Sequence, residues 1–204
     1  MNKHSTVRLA LTLFITDLTV IILNLLLLGR LFGLVESTLY DWGITILLSL
    51  VLYMLVWIRA SQEGKAAVDA DHMSLKRFER NEIPAPEKFY FPYKGFVAGL
   101  LSKLPVIVLL VLRFATGSDA YHFPINVFFG VHYSASLVTF NIAKISTGEL
   151  SVFSYLLSVL CYIVLFSLVS GLAYMTGPAQ REKVLTVIKR NEEKYKKVQN
   201  QKPR

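Results

Sequence analysis

An all-α bundle embedded in a membrane is the fold class this sequence predicts, and three observations predict it. Hydrophobic residues make up 53% of the 204, and charged residues only 18%, against roughly 25% charged in soluble domains. The apolar residues fall in blocks near the ~20 residues that cross a bilayer as a helix. Cations gather between those blocks. Of 22 Lys and Arg, nine follow Pro178, and nine more lie in the N-terminal residues or between Arg59 and Lys94. Cations that flank apolar spans hold loops on the cytoplasmic side. The net charge of +8 therefore reads as membrane orientation, with the bilayer as partner and no nucleic acid. The lone cysteine, Cys161, excludes an internal disulfide and a multi-cysteine metal site.

The spacing predicts four spans, over about 9–35, 42–58, 95–115 and 151–175, in one transmembrane domain of residues 1–177. The first follows a short basic MNKHSTVR and is too long for a signal peptide, with no small-residue cleavage pattern after it. Residues 36–41 form an acidic turn without Lys or Arg, placed outside. Trp42 and Trp57 stand fifteen residues apart at the two ends of the second span. In a helix that is ~22 Å, the separation of two interfacial belts.

Residues 59–94 read as a cytoplasmic loop. Its stretch 63–80 forms a helix with a narrow stripe of Val68, Leu75 and Phe78, expected to lie on the membrane or on a partner. Residues 81–92 carry three prolines and read as extended, because residues preceding proline avoid the helical region. Around 89–105 the chain enters the third span, through Tyr90 and Tyr93 as interface anchors, together with Lys94.

The segment 116–150 is apolar with a polar stripe of Asn126, Gly130, Ser134, Asn141 and Lys144. As a fifth span it would export either the basic loop or the basic tail. It is therefore expected to be an outer interfacial or re-entrant helix, with both termini cytoplasmic. Gly177 and Pro178 mark a helix stop and restart after the last span. The tail 178–204 reads as a solvated basic helix with a thin stripe of Val184, Ile188 and Tyr195.

Several groups are candidates for chemistry. Asp17 and Lys103 each lie eight residues into spans that run the same way, and so at a similar depth of ~12 Å. An unpaired charge there costs ~2.5–3.5 kcal/mol on insertion scales, so the two are expected to form an ion pair joining the first and third spans. The competing expectation sends each charge to the headgroups or nearby water. Pro105 removes the amide that would bond the Leu101 carbonyl. This predicts a kink, or an exposed carbonyl of the kind transporters use for ions. Gly95 and Gly99, and Ser167 and Gly171, have the small-residue spacing of close helix packing. Asp69, Asp71 and His72 are metal-ligand types, as are His122, His132, Asp119 and Glu149. No second cluster completes a shell, so no metal is assigned. No phosphate loop, nucleophile elbow, zinc motif or Cys-x-x-Cys is present, so no cofactor and no catalytic residue are assigned.

Tyr93-Lys94-Gly95-Phe96, Gly99-Leu100-Leu101 and Leu104-Pro105, with Gly171, Tyr174 and Gly177 at the end of the last span, carry a resemblance. In them the chain resembles small uncharacterised polytopic membrane proteins of Gram-positive bacteria. The resemblance implies the span pattern and a bacterial plasma-membrane location, and no activity. Small size, missing motifs and charged cytoplasmic segments point to a non-enzymatic accessory or scaffold subunit of a membrane complex, with a membrane or cytoplasmic protein partner. The alternatives are a small transport component coupled through the 63–80 helix and, third, a lipid-acting enzyme. The state of Asp17 and Lys103 separates the first two: a dry, neutralised pair suits a scaffold, and a wet one suits transport.

Overall fold

The computed structural model describes residues 5–27, 38–118, 120 and 152–200, and every regular element among the described residues is helical. Helix α1 is Thr6–Leu27. The Ser5 hydroxyl accepts the Arg8 amide proton at 3.2 Å at its start, satisfying one of the donors a helix leaves open. Thr12, Thr16 and Thr19 donate their hydroxyls to the carbonyls of Arg8, Thr12 and Ile15, at 3.0, 2.8 and 2.8 Å. Each hydroxyl is thus satisfied within its own helix, which lets threonines sit in an apolar span. The expected remainder of the first span, 28–35, and the turn 36–37 lie outside the described residues.

Helix α2, Thr38–Glu79, runs 42 residues, or ~63 Å, about twice a bilayer crossing. The expected separate helix over 63–80 is therefore a direct continuation of the second span, and it projects from the bundle. Residues 59–63 contain no Pro or Gly to stop a helix, and Gly64 is held by packing. The stop comes later. Asn81 adopts φ 57°; its amide donates to Phe78 and the Glu82 amide to Arg77, both at 2.9 Å. This is the paired bonding of a left-handed helix terminus, where Asn is tolerated. Trp57 is 41% exposed; the side chain of Trp42 lies outside the description.

The third expected span is two helices, α3 at Lys94–Ser102 and α4 at Leu104–Thr116, bent by 52°. Pro105 occupies the first turn of α4, where its missing amide proton costs nothing. Helix α5 is Val152–Met175 and α6 is Gly177–Asn200. Only Thr176 interrupts them, and Val159–Ile188 runs as one rod of 30 residues that holds an apolar stretch of membrane length. Three helices are long and apolar enough to cross a membrane, or four when the bent α3–α4 pair counts as one. Of the segment 116–150, residues 119 and 121–150 lie outside the described residues.

The core gathers Leu13 and Val20 of α1, Leu52 and Val56 of α2, Ala98 of α3, and Val159 and Phe166 of α5. Helices α1 and α5 flank α3, α2 packs on α1 and α5, and α6 leans on α2. Small residues set the crossing of α3 and α5. A methyl at Gly95 would stand 2.8 Å from the Ser170 carbonyl, and one at Gly99 would stand 2.8 Å from the Ser167 Cα. Ser167 and Ser170 donate to the Phe96 and Gly95 carbonyls at 2.8 and 2.9 Å. Gly171 receives the Phe96 ring. These are packing contacts within one chain, with hydrogen bonds added where the backbones touch.

Candidate functional site

A buried polar cluster forms where α3 gives way to α4. Lys103 lies at the break with φ −94° and ψ 5°, between a helix that ends and one that begins with proline. Its amide turns back to Leu100 at 3.1 Å, in the tighter pattern of a final helical turn. Bonding at this cap also reaches the Leu101 carbonyl, and the Ser102 hydroxyl donates to Gly99 at 2.6 Å. The Leu101 carbonyl therefore has a donor within the break, which removes the main support for an ion-holding carbonyl there.

The break turns the Lys103 side chain inward. Its ammonium pairs with Asp17 Oδ2 of α1 and also donates to the Tyr162 hydroxyl of α5. Tyr162 donates in turn to Asp17 Oδ1 at 3.0 Å. Both carboxylate oxygens thus receive a proton donor, closing a three-membered ring of hydrogen bonds. The Phe166 ring centroid lies 3.7 Å from the ammonium, and the Tyr162 centroid lies 4.3 Å from it, within cation–π range. On α2, Tyr53 lies in the field of Asp17. Side-chain exposure is 1% for Lys103 and 5% for Asp17. The two charges neutralise each other in a buried site that Asp17 of α1, Tyr162 of α5 and Lys103 at the break complete.

The structure thus brings Asp17 and Lys103 together and adds Tyr162, which the sequence analysis did not single out. Its phenol midway along the last span was the available signal. Its partners, 59 and 145 residues away in sequence, were not readable. Pro105, Gly95, Gly99, Ser167 and Gly171 surround the break or the crossing below it.

A second polar cluster fastens the extended segment 83–92 to the projecting part of α2. Asp71 accepts the amide protons of Phe89 and Tyr90, the latter at 3.2 Å, and Ser74 accepts that of Glu87 at 2.6 Å. Lys94 donates to the Phe89 carbonyl, attracted also by Asp71 and Glu63. Tyr90 stacks on Tyr174 at 5.4 Å with 2° between ring planes, and burial raises its phenol above the ordinary value. Tyr90 is therefore turned onto α5, whereas Tyr93 is 59% exposed. Asp69 pairs with Arg181 of α6 at 2.6 Å. A methyl at Gly177 would meet the Gly64 backbone at 2.4 Å. Asp69 and Asp71 are thus engaged by separate partners, and no group of three metal-ligand residues occurs among the described residues. His122, His132, Asp119 and Glu149 lie outside them.

No family model, no curated protein and no solved structure matches the chain.

Proposed function

We propose that this protein is a non-catalytic scaffold subunit of a membrane complex, with four spans and both termini in the cytoplasm. The observation that carries this reading is the closed state of Lys103 and Asp17. A transport site needs a charge that meets water or substrate during the cycle; here Tyr162 and Phe166 complete a sealed neutral group. Such a group specifies which helices pack together, a recognised use of buried ion pairs. The projecting part of α2 and helix α6, fastened by Asp69–Arg181 and the Gly64–Gly177 contact, are then the parts that meet a partner. With 18 of the cations in the termini and the 59–94 segment, this end belongs in the cytoplasm.

The test is a comparison of two variants purified gently from their native membrane. In the scaffold reading, Asp17→Leu/Lys103→Met, which removes both charges together, keeps the co-purifying proteins and the cellular phenotype. Truncation after Thr176 loses them. If the charge-free variant stays folded but loses the phenotype while keeping its partners, the pair is functional and the transport reading replaces this one.

A further inference from the structure

The third crossing is poorly made to enter a membrane alone. Helix α3 has 9 residues and α4 has 13, each well short of the ~20 that span a bilayer, and they are long enough only as a pair. At their join the helical bonding is interrupted, and backbone groups freed inside hydrocarbon cost energy until something meets them. Lys103 sits at that join. Counted from the start of α3 at Lys94, it lies ~13 Å along the helix axis, close to half the ~30 Å hydrocarbon thickness. A lysine without a partner at that depth shifts the balance between crossing and staying out by roughly 100-fold.

The groups that relieve this cost come from two helices, and the chain makes those helices at different times. Ser167 and Ser170 of α5 donate to the α3 carbonyls of Phe96 and Gly95, and Tyr162 accepts from the Lys103 ammonium. All three come late, Tyr162 standing 59 residues after Lys103. Asp17 stands 86 residues before it. Synthesis runs from the N-terminus, and early segments settle first. Of the two helices made before α3, α1 is the one that flanks it, and α1 is long and apolar enough to cross by itself. When Lys103 reaches the membrane, Asp17 is therefore the acidic group already waiting at its depth.

We propose that Asp17 is the intramembrane receptor for the third span: α3 and α4 cross because the α1 carboxylate accepts the Lys103 ammonium, and α5 closes the site afterwards through Tyr162, Ser167 and Ser170. Asp17 is in this sense a positioning residue for topology. The consequence extends beyond one helix. If α3 and α4 stay behind, α5 starts from the cytoplasmic side, and its crossing would export the nine cations after Pro178, which the retention of cations in the cytoplasm opposes. One ion pair thus settles the path of the second half of the chain.

The test reads which side of the membrane residue 120 faces in intact cells. Ala120 lies just past α4 and is exposed, so Ala120→Cys in a Cys161→Ser background reports on the crossing. Labelling with an impermeant thiol reagent before and after solubilisation gives the fraction of chains with residue 120 outside, whatever the amount made. In the otherwise unaltered chain that fraction is near one. Asp17→Leu lowers it at least about twofold, and Asp17→Leu/Lys103→Met restores it. Tyr162→Phe, which weakens the site only after the crossing, leaves it unchanged. An unchanged fraction in Asp17→Leu overturns the proposal, because the span then crosses unaided. So does a double variant that stays low, since the fault then lies outside the charge. Tyr162→Phe lowering the fraction as far as Asp17→Leu overturns it too, because the finished site and not the waiting carboxylate then decides. This role for Asp17 rests on the four-span orientation: residue 120 shielded in the otherwise unaltered chain rejects both, whereas failure confined to the variants rejects the role alone.

Discussion

Removing one member of the buried pair is the sharpest perturbation the structure offers, because the two removals differ. Lys103→Met leaves the Asp17 carboxylate, 4% exposed, without its cation and with the Tyr162 hydroxyl as a donor. Breaking a buried ion pair costs ~3–5 kcal/mol, and one remaining hydrogen bond to a charged group offsets ~1.5–3 kcal/mol at most. Asp17→Leu leaves the Lys103 ammonium with the Tyr162 hydroxyl and also the Phe166 ring at 3.7 Å. A desolvated cation–π contact offsets a further ~2 kcal/mol. Lys103→Met is therefore expected to be the more damaging single change, by on the order of 1–2 kcal/mol.

The double variant Asp17→Leu/Lys103→Met leaves no buried charge and restores much of the loss. Its coupling energy falls toward the upper part of the ~0.5–3 kcal/mol range seen for contacting residues. Reversible unfolding of purified protein in mixed micelles, by increasing the fraction of denaturing detergent, measures all four corners of the cycle. Single-variant losses that add to the double-variant loss within ~0.5 kcal/mol would refute the reasoning. So would Asp17→Leu proving the costlier single change.

Three further outcomes are expected. Gly95→Ala and Gly99→Ala place a methyl 2.5 and 2.8 Å from the nearest α5 atoms and lose ~1–3 kcal/mol by overpacking. Gly43→Ala meets nothing within 4 Å and is neutral or stabilising by up to ~1 kcal/mol; thermal unfolding in detergent ranks the three, and equal effects would contradict the crossing. Asp71→Ala strips the acceptor from the Phe89 and Tyr90 amides, so limited proteolysis cleaves within 81–92 faster than in the unaltered chain, while Asp69→Ala leaves that rate unchanged. For orientation, Met73→Cys and Gln199→Cys in a Cys161→Ser background resist an impermeant thiol reagent on intact cells, and Ser37→Cys reacts. Met73 suits this test because it is 60% exposed, whereas Ser74 is 6% exposed. Labelling of Gln199→Cys but not Ser37→Cys would reject the four-span orientation.

By itself the sequence determined the class of the protein: all-helical, with apolar runs of membrane length separated by cation-rich stretches. Those are sums over twenty residues, and neighbours in space hardly alter them. It also placed Asp17 and Lys103 at one level, since depth along a helix is a matter of counting. The tertiary structure decided what depended on neighbours. It brought in Tyr162, because a donor for the second carboxylate oxygen arrives from a helix that only packing sets beside α1. It turned the expected kink at Pro105 into a 52° break at Lys103, whose inward side chain the pair holds. It carried α2 straight through residues 59–63, because no local signal stops the helix and the Gly64–Gly177 contact braces what continues. Periodicity reads one helix at a time, and a polar group buried between helices is specified by the partners it meets.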